Sequence, residues 1–369
     1  MAKPSKEKSI SHAIKPLHIV MQLTGHFSLE KSTGFLKVWN IQMKILCFFC
    51  CAVHIYACPM EIDNVNSIAM AIFQCYNYFC VFHTLIFNSI YNKRIRVILT
   101  EIIKVNRLSE FITKEKVNYL LSRRRMIIYI SFWYGFQIIC GMLSHFSVYN
   151  YERREQSKFY CMYIGLPTNC FNFNMNCLLQ FILGEIKERS AKVHNHAVLF
   201  QESEIYALVK NVPTFYHQLL NCAQSIKCAF EFVLLSKIVM CTIHLLITVY
   251  WFTTGKFKEH LGGNFILFGL GSFIVLNVID VVVVLYSFVS FIDETRNLVC
   301  LMQHLNYVIA RESFVRQKIA LFPLRVYVED FRFHLFGYFP LEWCLMHSML
   351  SVITTYLIIF YQFQSLEKN

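Results

Sequence analysis

Charge is what this sequence has least of. Of its 369 residues only 16% are Asp, Glu, Lys or Arg, while 56% are hydrophobic, against about 25% charged residues in an ordinary soluble domain. A shortfall of that size over the whole length excludes a fold surrounded by water and calls for lipid as a second solvent. An Asn-x-Ser/Thr sequon is also missing, which fits very short external loops. The first 38 residues are polar and lysine-bearing and lack the apolar stretch of a cleaved signal peptide. There is no P-loop, no G-x-G-x-x-G and no Ser/His/Asp constellation, so the chain does not read as an enzyme. His194 and His196 form an H-x-H, but the further histidine boxes of a di-iron membrane enzyme are absent. No metal site and no cofactor are expected.

What remains is apolar and aromatic. The mean hydropathy is +0.44, with 35 Phe and 20 Tyr, suited to lipid-facing helices and their interfacial belts. The fifteen cysteines do not form a disulfide framework. Most, such as Cys47, Cys50, Cys51, Cys75, Cys80, Cys140, Cys170 and Cys177, lie inside apolar runs, where they behave as small hydrophobes. Only Cys58 and Cys161 fall near an expected outer face, which leaves a bridge between them as the one to test. The net charge of +12 does not point to nucleic acid, because no basic stripe is interleaved with stacking aromatics.

A helix that crosses a bilayer needs about 20 mostly apolar residues at 1.5 Å of rise each. Seven segments qualify: Trp39–Cys58, Ser67–Ile90, Met126–Tyr149, Phe159–Leu183, Phe232–Thr253, Phe265–Phe291 and Leu341–Phe363. The fourth is the weakest, since Pro167, Thr168, Asn169, Asn172, Asn174 and Asn176 fall within it. Polar side chains there must face protein or a cavity. The expected class is therefore an all-α membrane protein of seven transmembrane helices.

Basic residues set its orientation. The amino-terminal segment and the loops after the even-numbered spans hold 27 Lys or Arg, and the other loops and the tail hold six. Positive residues stay cytoplasmic, so the amino terminus is expected inside and the carboxyl terminus outside. That is the reverse of a G-protein-coupled receptor. Ile102, Val105, Leu108, Phe111 and Ile112 recur at helical spacing, as do Leu298, Leu301, Leu305, Val308 and Ile309. The second, fourth and sixth helices are thus expected to run on into a cytoplasmic bundle; amphipathic helices lying on the membrane surface would give the same pattern.

The last span ends Thr355-Tyr356-Leu357-Ile358-Ile359-Phe360-Tyr361-Gln362-Phe363. Seven residues are close to two turns, about 10.5 Å of rise, so Thr355 and Gln362 share one column with Ile359 beside it, and Tyr356 and Phe363 form the next. Two roles fit a polar column here. Gln362 could offer its amide to a hydrated ion while Phe363 closes the path by dewetting, or Thr355 and Gln362 could hydrogen-bond to neighbouring helices.

These residues resemble the T-Y-x5-Q-F signature of insect gustatory receptors, complete at its four defining positions. The resemblance extends loosely over the chain as a single receptor-channel domain: residues 1–38 as cytoplasmic amino terminus, 39–340 as six ligand-binding helices with cytoplasmic extensions, and 341–369 as pore helix and external tail. It implies a chemosensory, ligand-gated, non-selective cation channel in the plasma membrane of sensory neurons. The channel would be a homo- or heterotetramer with other gustatory receptors, lined by the seventh helices and gated at Thr355, Tyr356, Ile359, Gln362 and Phe363. It also implies a cytoplasmic half-helix around Phe331–Pro340 that joins the subunits, with Gly337 and Pro340 as a break before the pore helix. The related insect odorant receptors are similar in fold and mechanism; the complete motif favours the gustatory branch. Sugar-sensing members resemble one another in an acidic residue after the motif's Tyr; Leu357 stands there, which leans towards bitter tastants.

In such receptors the tastant sits among the second to sixth helices, in their outer half. Polar and aromatic residues at that depth are Gln74, Tyr76, Asn77, Ser144, His145, Tyr149, Tyr163, Asn169, His244, Thr248 and Trp251, the mixture small-molecule sites use, although each also suits an interfacial belt or bundle packing. Asp280 is the one acid deep in a span. A carboxylate there must be paired, neutral or wet, and Lys237 on the preceding span is expected to pair with it, for structure or for ligand contact.

Overall fold

The computed structural model describes residues 10–24, 34–57, 65–149, 153–198, 205–253, 264–308 and 332–368. Among these, eight helices and one hairpin follow in order: α1 Ile10–Leu23, α2 Gly34–Ala57, α3 Val65–Thr113, α4 Tyr119–Tyr149, α5 Arg153–Val198, α6 Ile205–Thr253, α7 Asn264–Val308, β1 His334–Leu335, β2 Phe339–Pro340 and α8 Cys344–Lys368. The seven apolar segments fall on α2 to α8. Cys58 lies outside the described residues, as does the side chain of Cys161, so the possible bridge between them is not described.

Helix α5 is the hub. It packs against α3, α7, α4, α6, α1 and α2, and from Phe171 to Ala197 nearly every described side chain along it is buried or half-buried. Its polarity follows from that position, since the described amides Asn174, Asn176 and Gln180 are buried, with protein rather than lipid beside them. Helix α8 is the opposite case, leaning on α6, with lesser contact to α3 and β2.

The helices overrun the apolar segments as the stripes require. Helix α3 continues to Thr113, α5 to Val198 and α7 to Val308. Ile95, Ile98, Ile102, Val105 and Ile112 of α3 and Leu298 and Leu301 of α7 are buried, so the described parts of these stripes form a bundle rather than lie on a surface. The side chains of Leu305 and Val308, and Ile309, lie outside the described residues. Two details differ from expectation. Phe111 is exposed, because α3 is about to end and its neighbours no longer cover that side. Helix α6 starts at Ile205, so it too has a long extension, which packs along α3.

The α3 to α4 connection is set by local chemistry. Lys114 takes φ of 58° just past the helix end, the left-handed position that terminates helices. Asn118 then caps α4, its side-chain oxygen accepting from the N–H groups of Leu120 at 3.2 Å and Leu121 at 3.3 Å.

Helix α1 is an element that the loss of apolar character before residue 39 conceals. Ile10, Ala13, Ile14, Leu17 and Met21 are buried at helical spacing on one face, which packs on α4 and touches α5 and α2. The indole N–H of Trp39 donates to the Leu23 carbonyl at 3.1 Å and ties α1 to α2.

The segment before α8 is a hairpin over residues 332–340, where a half-helix was implied. Phe333 and Leu335 are buried while Arg332 and Phe336 are exposed, an alternation that makes a strand rather than a helix. The register pairs His334 with Pro340 and Leu335 with Phe339. Gly337, at φ 80°, sits in the turn, and Leu341 N–H closes on the Phe333 carbonyl at 2.8 Å.

Candidate functional site

Helix α8 is held through one stripe. Leu345, Met349 and Ile353 are buried, and further along the Phe360 ring packs edge-on against Tyr250 of α6 at 5.2 Å between centroids. At 3.6 residues per turn, the opposite side of the helix carries Ser348, Ser351, Thr355 and Gln362, all exposed. Thr355 spends its hydroxyl within its own helix, donating to the Ser351 carbonyl at 2.9 Å. Of the other motif residues, Ile359 is half-buried, and Tyr356 and Phe363, in the column of buried Met349, are exposed. The chain therefore turns an apolar stripe of α8 to its own bundle and, away from it, a mixed face on which Ser348, Ser351, Thr355 and Gln362 are interspersed with exposed Leu350, Val352 and Ile358. The hydroxyls of Ser348 and Thr355 are bonded within the helix, so the Gln362 amide is the group on this face that would cost most in hydrocarbon.

A second polar centre lies deep between α5, α6 and α7. Lys237 and Asp280, 6% and 3% exposed, form an ion pair. The side-chain amide of Asn176 donates to both Asp280 oxygens, at 2.9 and 2.7 Å. Two residues back, and so on the other face of α5, Asn174 accepts from the Tyr134 hydroxyl at 2.8 Å and donates to Thr24 at 3.1 Å. The two amides bind the hub helix to α6 and α7 on one side and to α4 and the end of α1 on the other.

Comparison with known proteins fits this architecture to a family. The family model described as "7tm Chemosensory receptor" matches residues 14–367. The chain belongs to that family. It is a multi-pass membrane receptor and not an enzyme. Its fold is that of the insect olfactory receptor OR5 from Machilis hrabei, at 12% identity and a TM-score of 0.61 over 95% of this chain and 97% of that one. The same receptor in complex with eugenol aligns at 11% identity and a TM-score of 0.63, over 96% and 98% of the two chains. No curated protein sequence matches the chain.

The receptor's expected ligand residues lie on α3 to α6, but only His244 has a described side chain, and it is buried. Those of Gln74, Tyr76, Asn77, Ser144, His145, Tyr149, Tyr163, Asn169, Thr248 and Trp251 lie outside the described residues. His194 and His196 sit half-buried near the end of α5, and no group of metal-ligating side chains occurs among the described residues. Near that end a cavity of about 440 Å³ is lined by Glu110, Phe111, Ile112, Lys114, His196, Leu208 and Asn211. Sequence reasoning passed over the pairing roles of Asn174 and Asn176. Their signal was available, because amides two apart in a helical apolar run point to opposite sides and so demand two partners.

Proposed function

We propose that this receptor is of the gustatory type, senses a small tastant through α3 to α7, and opens a non-selective cation path along the α8 helices of four subunits. The observation that carries the reading is the outward row of Ser348, Ser351, Thr355 and Gln362 on α8. The Gln362 amide at the end of that row costs less against another subunit or water than against lipid. Four copies around an axis supply both. Gln362 and Phe363 then sit at the outer mouth, and the 27 basic residues on alternate segments put the amino terminus in the cytoplasm. The tastant is bitter rather than sweet, on the strength of Leu357 in the motif. The receptor works in the plasma membrane of chemosensory neurons, alone or with other gustatory receptors. Lys237 and Asp280 serve the bundle rather than the tastant.

Expression in oocytes with a panel of bitter compounds and sugars tests this. A bitter compound is expected to evoke a cation current, and Gln362→Ala to shift its reversal potential at unchanged surface density. An extracellular amino-terminal tag, or currents identical in the variant, would remove the pore reading.

A further inference from the structure

Two independent features meet at the junction between the bundle and α8. The first is backbone strain. Phe336 and Gly337, at φ of 52° and 80°, are the central residues of the Leu335–Tyr338 turn, closed by Tyr338 N–H on the Leu335 carbonyl at 3.0 Å, within the three-residue loop that joins the paired Leu335 and Phe339. Positions held in the left-handed region are usually Gly or Asn, for which it costs least. A bulky Phe in the first place is an outlier. Its side chain is exposed, so packing of the ring does not account for the conformation. The second is a contact from another element. The N–H of that same Phe336 donates to the carboxylate of Glu231, which stands on α6 immediately before its apolar segment.

The surroundings make this a joint rather than a loose end. Phe333, at the start of the hairpin, packs against Phe288 and Phe291 of α7 at 4.7 and 6.0 Å between ring centroids. One turn before Glu231, Arg94 of α3 donates to the Cys228 carbonyl at 2.5 Å. Helices α3 and α6 are thereby coupled at this level, and the hairpin leads through Leu341 directly into α8. A charge-assisted bond to one backbone N–H is stronger and more directional than a neutral one. Strained turns persist only where their surroundings hold them.

We infer that Glu231 is a positioning residue for gating: its carboxylate clamps the strained Phe336–Gly337 turn and holds α8 in its resting arrangement. This rests on the reading of α8 as a pore helix. Motion of α6 would carry Glu231 away from the turn, and the turn would relax and release the start of α8.

The test pairs two readouts on the full-length receptor. Hydrogen exchange of a peptide covering residues 333–341 reports the clamp, and the basal Na+ current in oocytes, normalised to surface density, reports the gate. Glu231→Ala is expected to speed exchange roughly tenfold, as for loss of a hydrogen bond to a charged group, and to raise basal current about fivefold. Glu231→Gln, which keeps an oxygen acceptor, falls between it and the wild type. Phe336→Gly relieves the left-handed strain, so exchange slows about fivefold and basal current falls. Unchanged exchange and current in both Glu231→Ala and Phe336→Gly would overturn the inference, as would a fall in basal current with Glu231→Ala. If exchange responds but the wild type carries no cation current with any compound of the tastant panel, the pore reading fails instead.

Discussion

Helices α5 and α8 invert the pattern of a soluble protein. The buried stretch of α5 carries Asn174, Asn176, Gln180, Glu185 and Arg189, every one almost inaccessible, yet this is the helix at the centre. The Cys344–Phe363 stretch of α8 is apolar enough to cross a membrane, and only 17% of its most apolar 18 residues are buried in the chain, against 44% for those of the Asn211–Ile247 stretch of α6. In water the assignment would be reversed, because apolar surface seeks the interior. In lipid the apolar surface is at no disadvantage outside, and polar groups must find one another within. The exposed Gln362 of α8 breaks the rule for its own helix and needs something beyond the chain.

The largest effect expected from disturbing this comparison is at the α6–α7 ion pair. Lys237→Met alone leaves Asp280 buried without its cation, and Asp280→Leu does the same to Lys237. Each is expected to lower stability by about 3–5 kcal/mol and surface density with it, while the double variant recovers most of the loss. Thermal unfolding of the purified receptor measures this. Single variants as stable as the wild type would mean that the pair is solvated. Next comes Asn176→Leu, which removes both bonds from α5 to Asp280 and is expected to cost about 1.5–3 kcal/mol. In the Lys237→Met, Asp280→Leu background it should cost little or stabilise, because the acceptor is gone. A cost independent of background would assign Asn176 to another partner.

How much of this was legible follows from what each signal encodes. The seven spans were legible because run length alone reports a membrane crossing, and Asp280 stood out as a lone acid with Lys237 in reach. The amides of α5 made its span look weak. Run hydropathy averages over the circumference and cannot say that Asn174 and Asn176 each have a partner. Helix α1 was missed since Ile10, Ala13, Ile14, Leu17 and Met21 are diluted by Lys15, Pro16 and His18; only their periodicity marks the helix. Gly337 suggests a break after a half-helix rather than the turn of a hairpin, and nothing in the sequence tells that Glu231, 105 residues earlier, would reach it. The expected ligand residues, His244 apart, have side chains outside the described residues, and depth along a helix does not fix which way an aromatic ring points.

The two sides of α8 give the sharpest contrast at the smallest scale. Ile353 is buried against the bundle, so Ile353→Ala leaves a cavity and is expected to cost about 2–4 kcal/mol in thermal unfolding.

Thr355, two residues on and across the helix, is exposed and bonded only to the Ser351 carbonyl of its own turn. Thr355→Val keeps the shape and removes the hydroxyl, and since no packing is lost its stability should stay within about 0.5 kcal/mol of the wild type. Its consequence should appear elsewhere, as a shift in the relative permeability of Na+ and K+ measured from reversal potentials, because a hydroxyl facing water helps to solvate a passing ion and a methyl does not. A stability loss as large as that of Ile353→Ala, with permeability unchanged, would place Thr355 in a packed contact and turn this face of α8 from a water-lined surface into a seam between helices.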